Sequence, residues 1–236
     1  MIDGVIFDID GTILDSMSIW DRAAEMFLNN LGIEAEDGLG ETMFSMSMID
    51  GASFLKQRYS LDMDKDAIIG GINHTIEDFY HEQVQLKEGV EGFLKEMKQR
   101  GIKIVAATSS DRHIVVGALK RLNLMGYFEK IFTCTEIGAG KEKPDIYLAA
   151  AQYMGTRPRN TWVFEDALYA IQTAKNAGFR TVGVFDASSI IDLEKIRQVS
   201  DIYLDKLDTL SVFLKQVCNY SKMEGENENS INDCRK

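Results

Sequence analysis

The strongest constraint on this chain is an alternation with one gap in it. Short β-rich apolar runs recur at Val5-Ile6-Phe7, Ile102 to Ala107, Ile131 to Cys134, Trp162-Val163-Phe164 and Thr181 to Phe185, with a weaker one at Ile202-Tyr203-Leu204. None alternates cleanly with polar residues, which is the pattern of strands buried on both faces. Helical patterns separate them. Val90, Phe93, Leu94 and Met97 share one helix face ahead of a stop at Gly101. Asp111 is placed to cap a helix carrying Val115, Leu119 and Leu122, and Pro144-Asp145 opens another with Ile146, Ala149, Ala150 and Tyr153. Ile171, Ala174 and Ala177 precede Gly178, and Leu210, Phe213, Leu214 and Val217 mark the last helix. These are helix periodicities with ordinary start and stop signals. Strands alternating with helices make βαβ units, so the expected fold is α/β: a doubly wound, mainly parallel sheet with helices on both faces.

The rhythm fails once. From about Met17 to Leu86 no convincing strand run appears, and the patterns around Trp20 to Leu31, Ile49 to Tyr59 and Ala67 to Val84 are helical. An excursion of ~70 residues is far longer than a usual strand-to-helix connection. We read a small helical cap inserted at 16–86, hinged near Leu14-Asp15 and Lys87-Glu88-Gly89, in a catalytic core formed by 1–15 and 87–220. The polar stretch 221–236 is expected to be a disordered tail.

Composition narrows the partners. A formal net charge of -11 argues against nucleic acid or an anionic membrane as the main partner, although a phosphate site can be locally positive in an acidic protein. Cys134, Cys218 and Cys234 form no Cys-x-x-Cys pair and are read as free thiols of a reducing compartment. The start lacks a basic leader region, and no apolar stretch approaches the ~18 residues of a membrane span. The expectation is a soluble, cytoplasmic protein.

In a doubly wound sheet, ligands bind beyond the carboxyl ends of the strands. After the first strand comes Asp8-Ile9-Asp10-Gly11-Thr12, and after the second Thr108-Ser109-Ser110. Beyond the third and a Gly-containing loop lies Lys141, and after the fourth Glu165-Asp166. Any one of these acids is most simply a turn or helix cap; the whole set is not. Asp8 and Asp10, two apart in an extended segment, would lie ~6–7 Å from each other on one side. Such a pair repels unless a cation intervenes. Asp166 adds an oxygen ligand of the kind Mg²⁺ takes, with water and a substrate phosphate completing the octahedron. Lys141 would neutralise phosphate charge, while Thr108, Ser109 and nearby backbone N–H groups would bind phosphate oxygens. One carboxylate could then attack phosphorus and the other handle the leaving-group proton.

The whole set resembles the haloacid dehalogenase superfamily, in its β-phosphoglucomutase-like phosphatase branch. Asp8-Ile9-Asp10-Gly11-Thr12-Ile13 matches its first motif, Thr108 the hydroxyl of the second, Lys141 in Lys141-Glu142-Lys143-Pro144-Asp145 the lysine of the third, and Glu165-Asp166 the acidic fourth. The match runs from about Ile2 to Asp186, and the inserted helices resemble that branch's cap. The resemblance implies a phosphoric monoester hydrolase with Asp8 as nucleophile and Asp10 as general acid and base. It implies Mg²⁺ held by the Asp8 carboxylate, the Asp10 backbone carbonyl and the Asp166 carboxylate, with Glu165 joining them or standing behind them. Dehalogenase members lack the second aspartate, so Asp10 favours phosphoryl transfer. Glu142 stands where many members carry proline, which makes Lys143 a rival to Lys141; counting back from Pro144-Asp145 selects Lys141. Trp20 stands where β-phosphoglucomutases carry a histidine, and no matching arginine is evident in the cap, which disfavours a hexose-phosphate mutase.

The implied reaction is hydrolysis of a small phosphorylated metabolite, a sugar phosphate foremost. A mutase is the nearest rival. An aspartyl-phosphate signalling domain would take its acid from a middle strand and have no such insert, and an inactive binding protein would not need the intact acids and lysine. Gly138-Ala139-Gly140-Lys141 lacks the rest of a P-loop. His74, Glu77 and His81 are read as a solvated helix face and His113 as a surface residue, while Met43, Met46 and Met48 around Phe44 are read as packing. Trp20 suits either the cap interior or a place facing substrate. The particular substrate and the oligomeric state do not follow from these residues.

Overall fold

In a computed structural model, residues 2–43, 46 and 48–220 are described; the tail expected at 221–236, Cys234 and Phe44 lie outside them. Six strands form one sheet: β1 (Gly4–Phe7), β2 (Lys103–Thr108), β3 (Lys130–Thr133), β4 (Thr161–Glu165), β5 (Arg180–Val184) and β6 (Ile202–Leu204). Every pairing is parallel, and the order is β3-β2-β1-β4-β5-β6. The chain builds outward from β1 to β3, then returns to β4 on the other side of β1. That reversal makes the carboxyl ends of β1 and β4 the crevice where such sheets bind ligands. Register pairs Phe7 with Phe164, so the residues after them, Asp8 and Glu165, emerge side by side.

The central strands β1 and β4 are buried along their length, as their unbroken apolar runs require. Strand geometry sends alternate side chains to opposite faces. Phe7, Trp162 and Phe164 take one face and stack with Phe93 and Phe213, with Phe7 and Phe164 ring centres 4.4 Å apart. Such ring pairs add about 0.5–1.5 kcal/mol each beyond their burial. Ile6, Val105, Ala107 and Val163 take the other face and pack on Ile146, Tyr147, Ala150 and Met154. Asp8 and Glu165, each one residue further along, stand on this second side.

The chain divides into two compact units. Among the described residues, one holds 2–15 and 86–220; the other is Ser16–Gln85, the insert ending one residue before the expected boundary. The inserted unit contains α1 (Ser18–Asn30), α2 (Leu39–Met43), α3 (Met48–Arg58), α4 (Lys65–Asp78) and a wide turn at Phe79–Gln83. Its interior is formed by Phe27 and Leu28 of α1, Leu55 of α3 and Ile68, Ile72 and Ile76 of α4, all buried. Asp64 caps α4 by accepting from the Ala67 N–H at 2.8 Å. Trp20, Met43, Met46 and Met48 line a hollow of about 250 Å³ within this unit, and Trp20 is 52% exposed. His74 is exposed and lies 3.5 Å from Asp78.

The other unit continues with α5 (Val90–Gln99), α6 (Arg112–Arg121), α7 (Cys134–Ile137), α8 (Asp145–Met154), α9 (Leu168–Asn176), α10 (Leu193–Val199) and α11 (210–220). Two expectations need correction here. Cys134 does not end a strand: the Thr133 hydroxyl accepts from the Glu136 N–H and turns the chain into α7 at that point. Asp111 occupies the position before α6 without capping it, because its carboxylate is taken by the Thr135 hydroxyl at 2.9 Å. None of the described helices is long and apolar enough to cross a membrane.

Candidate active site

The first carboxylate is placed by the sheet itself. Asp8 continues the β1 ladder by donating its N–H to the Phe164 carbonyl at 2.9 Å, which fixes its side chain beside Glu165. Immediately beyond, the chain folds back: Ile13 and Leu14 donate to the Ile9 carbonyl and Gly11 donates to Leu14. Gly11 has φ +79°, a conformation glycine adopts without penalty. The motif is therefore a strand end followed by a closed turn.

Asp8 is 4% exposed and its Oδ1 accepts from Lys141 Nζ. Lys141, 3% exposed, also donates to Glu165 Oε1 at 2.7 Å, and Tyr147 of α8 donates to the same oxygen at 2.8 Å. Lys143 is exposed, so the choice of Lys141 over Lys143 corresponds to a buried ammonium against a solvated one. Asp8, Glu165 and Asp166 each bring a carboxylate oxygen to within 4.8 Å of the others, all three residues buried. Asp8 Oδ2 has no hydrogen-bond partner among the described residues.

Asp10 is turned elsewhere. Its Oδ2 accepts from Thr108 Oγ1 at 3.2 Å and from Ser110 Oγ at 2.7 Å, and it is half-buried. Among the described residues the acid cluster gathers the carboxylates of Asp8, Glu165 and Asp166; the metal contact that the resemblance implies for Asp10 is its backbone carbonyl, not this side chain. Thr108 is fully buried and committed to Asp10 and to the Ser110 N–H. Ser109 is exposed, with its hydroxyl 3.7 Å from Cys134 Sγ. Of the two serines, Ser110 is the one that reaches Asp10. The run Thr108-Ser109-Ser110 contained the signal, but only loop geometry tells which serine turns inward. Tyr147 was equally hidden: nothing in the sequence of this helix marks the residue whose hydroxyl lands on Glu165.

The electrostatics follow from burial of like charges. Burial pushes the Asp8 carboxyl well above the usual carboxylate range; Lys141 opposes this, while Glu165, Asp166 and Asp10 add to it. Burial, then Glu165 and Asp186, push Asp166 up to about 7 against the pull of Lys141. For Lys141 burial works against the charge, but Asp8 and Glu165 outweigh it and hold the ammonium form. Burial and the Glu165 carboxylate push the Tyr147 phenol far up, keeping it a donor. Three buried carboxylates beside one ammonium do not all stay ionised, and Asp8 Oδ2 has no hydrogen-bond partner among the described residues. This donor set suits a hard divalent cation, which would restore Asp8 and Asp166 to their ionised forms.

The model of the haloacid dehalogenase-like hydrolases matches residues 2–178. The chain is 24% identical over 217 residues to the phosphorylated carbohydrates phosphatase of Thermotoga maritima, covering 92% of this chain and all of that protein. It is 26% identical over 212 residues to the β-phosphoglucomutase of Bacillus subtilis, covering 86% of this chain and 92% of that one. A β-phosphoglucomutase crystal structure from Clostridium difficile has a similar fold, with a TM-score of 0.67 at 20% identity, over 93% of this chain and 99% of that chain.

Proposed function

The chain belongs to the haloacid dehalogenase-like hydrolase family, and from that premise we propose that it is a phosphoric monoester hydrolase: a magnesium-dependent phosphatase of a small phosphorylated metabolite, foremost a sugar phosphate, working through an aspartyl-phosphate on Asp8. The observation that carries the reading is the buried Asp8 carboxylate at the β1/β4 crevice, tied to Lys141 through one oxygen and uncommitted at the other. Similarity to a phosphatase of phosphorylated carbohydrates supports the substrate class.

Each residue then has a part. An Asp8 oxygen attacks phosphorus as the bond from phosphorus to the leaving oxygen breaks. Asp10 gives its proton to that oxygen, releasing an alcohol. Asp10, now a carboxylate, takes a proton from water, whose oxygen attacks phosphorus; inorganic phosphate departs and the Asp8 carboxylate is regenerated. Lys141 offsets the charge of the transferring group, and Glu165, held by Tyr147, keeps Lys141 aimed at Asp8. Thr108 and Ser110 orient the Asp10 carboxylate; Thr108, Ser109 and backbone N–H groups are the candidates for phosphate oxygens. Asp8 and Asp166, with Glu165 adjoining and the Asp10 carbonyl as the resemblance implies, would hold Mg²⁺, which when bound supplies positive charge to phosphate oxygens and keeps the nucleophile ionised. The free thiols Cys134 and Cys218 fit a reducing, cytoplasmic setting.

Phosphate release from a panel of phosphorylated metabolites, with and without Mg²⁺, tests the reading. Mg²⁺-dependent release from at least one hexose phosphate is expected. No release from any phosphomonoester would sink it. Similarity to a β-phosphoglucomutase favours a second reading, and interconversion of glucose 1-phosphate and glucose 6-phosphate with little phosphate release would establish that one instead.

A further inference from the structure

One half-buried cation near the site has no part in the chemistry above. Lys87 Nζ donates to the Gly11 carbonyl at 2.6 Å, to the Phe185 carbonyl, and to Asp186 Oδ2 at 2.9 Å. An ammonium has three donors, so these contacts use all of them. The Lys87 side chain is 18% exposed and that of Asp186 6%, which withdraws the pair from the solvent that would screen it. Asp186 is itself held, its Oδ1 accepting from the N–H and hydroxyl of Ser188 at 2.9 and 2.7 Å. The Lys87 backbone joins in, donating to the Ile13 carbonyl at 3.0 Å beside the antiparallel bridge of Leu14 with Leu86.

The choice of anchors gives this arrangement a function. Gly11 follows Asp10 and turns the motif loop; Phe185 lies just past the end of β5, which is two places from β1 in the sheet. Lys87 therefore ties the turn that carries Asp10 to a rigid strand end on the far side of β4. The Asp10 carboxylate is meanwhile held from the β2 side by Thr108 and Ser110. Two tethers from opposite sides define where a proton donor sits, and a displacement of ~1 Å in such a group can cost on the order of 10²-fold in rate.

We propose that Lys87, anchored by Asp186, is a positioning residue that holds the Gly11 turn so that Asp10 faces the leaving oxygen. The inference rests on the reading of Asp10 as the general acid. It separates from a merely structural role by leaving-group dependence. A displaced acid hurts substrates whose leaving group needs protonation and spares those whose leaving group does not.

The experiment compares wild type with Lys87→Met, which keeps the aliphatic stem and loses all three donors, and with Lys87→Arg. Glycerol 2-phosphate has an alkoxide leaving group, and p-nitrophenyl phosphate has a stable phenolate. Lys87→Met should lower kcat about 10–100-fold on the first and less than about 3-fold on the second, with KM little moved and Lys87→Arg recovering part of the loss. An equal loss on both probes overturns the proposal. Amide exchange supplies the readout that needs no activity: Ile13 and Leu14 should exchange faster in Lys87→Met while α8 is unchanged, and unchanged exchange at Ile13 and Leu14 overturns the tether. If wild type releases phosphate from neither probe nor from any other phosphomonoester, the phosphatase reading fails, and the exchange comparison still decides the tether. Should Lys87→Met not fold, Asp186→Asn, which weakens one of the three anchors, carries both comparisons in the same direction with smaller amplitude.

Discussion

Asp8 and Asp10 lie two residues apart, yet the fold gives them different surroundings and so different work. Asp8 is buried against Lys141; Asp10 is half-buried and held by two hydroxyls. Asp10→Asn keeps the shape and removes the proton donor, so turnover should fall ~10²–10⁴-fold while Mg²⁺ binding persists. With acetyl phosphate, which needs little acid help, that variant should still gain a phosphoryl group and lose it slowly, whereas Asp8→Asn should gain none. Intact mass and peptide mapping read this directly, and phosphate mapped to any other residue would unseat Asp8. Asp166 carries a second prediction. Its carboxyl is raised from 3.8 to about 7 in the metal-free fold, chiefly by burial. A raised acid favours the folded state only while it is protonated. Its contribution is therefore fully present below about pH 4 and is lost as pH rises through about 7. In melting curves from pH 4 to 8, metal-free Asp166→Asn should lose less stability with rising pH than wild type. Wild type should regain stability when Mg²⁺ is added, by binding linkage, and Asp166→Asn should regain little. Parallel metal-free curves would show that the Asp166 carboxyl is not raised, and an equal gain from Mg²⁺ in the two proteins that Asp166 is not the ligand.

At the scale of elements, local pattern was a good guide to strands and a poorer one to helix ends. The runs at Val5-Ile6-Phe7 and Trp162-Val163-Phe164 announce strands because both faces are buried and nothing polar interrupts them. The helix at Leu193–Val199 carries no legible stripe in the sequence, since of its residues only Ile196 is buried. The pattern from Ala67 to Val84 reads as helical throughout, but α4 gives way to the wider turn at Phe79–Gln83, a change of hydrogen bonding that periodicity does not register. Gly89, before α5, shows how an element's start depends on distant backbone. It has φ +85°, and a Cβ there would collide with the Asp208 backbone and lie 2.7 Å from the Leu207 carbonyl. Gly89→Ala should therefore cost about 1–3 kcal/mol or more, from the strained conformation and the backbone contact together. Denaturant titration measures it; a variant as stable as wild type would mean that the 207–208 segment yields freely.

For the whole molecule, the two-unit division makes its own prediction. Leu14 and Leu86 form an antiparallel bridge, so the chain leaves and rejoins the sheet-bearing unit at one point. Replacing Ser16–Gln85 by a short Gly-Ser linker should leave an α/β unit that unfolds cooperatively and is still stabilised by Mg²⁺, as circular dichroism with and without the ion would show. Loss of cooperative unfolding would mean that this unit does not fold by itself. The helical insert was legible as a missing alternation, and the acids, hydroxyl and lysine as the residues following successive apolar runs, because burial on both faces and the chemistry of a strand end are local properties. Strand order was not local. The placement of β4 beside β1 brings Asp8 to Glu165 across more than half the chain, and pairing energies between distant segments leave no mark on either one alone. The same holds for finer choices: that Ser110 rather than Ser109 reaches Asp10, that Tyr147 holds Glu165, and that Lys87 ties Gly11 to β5. The sequence by itself determined which segments are strands and which chemical groups stand at their ends. Only the tertiary structure decided which of those groups share a hydrogen bond, because that depends on register, on side-chain parity at each strand end and on the close packing of side chains far apart in the chain.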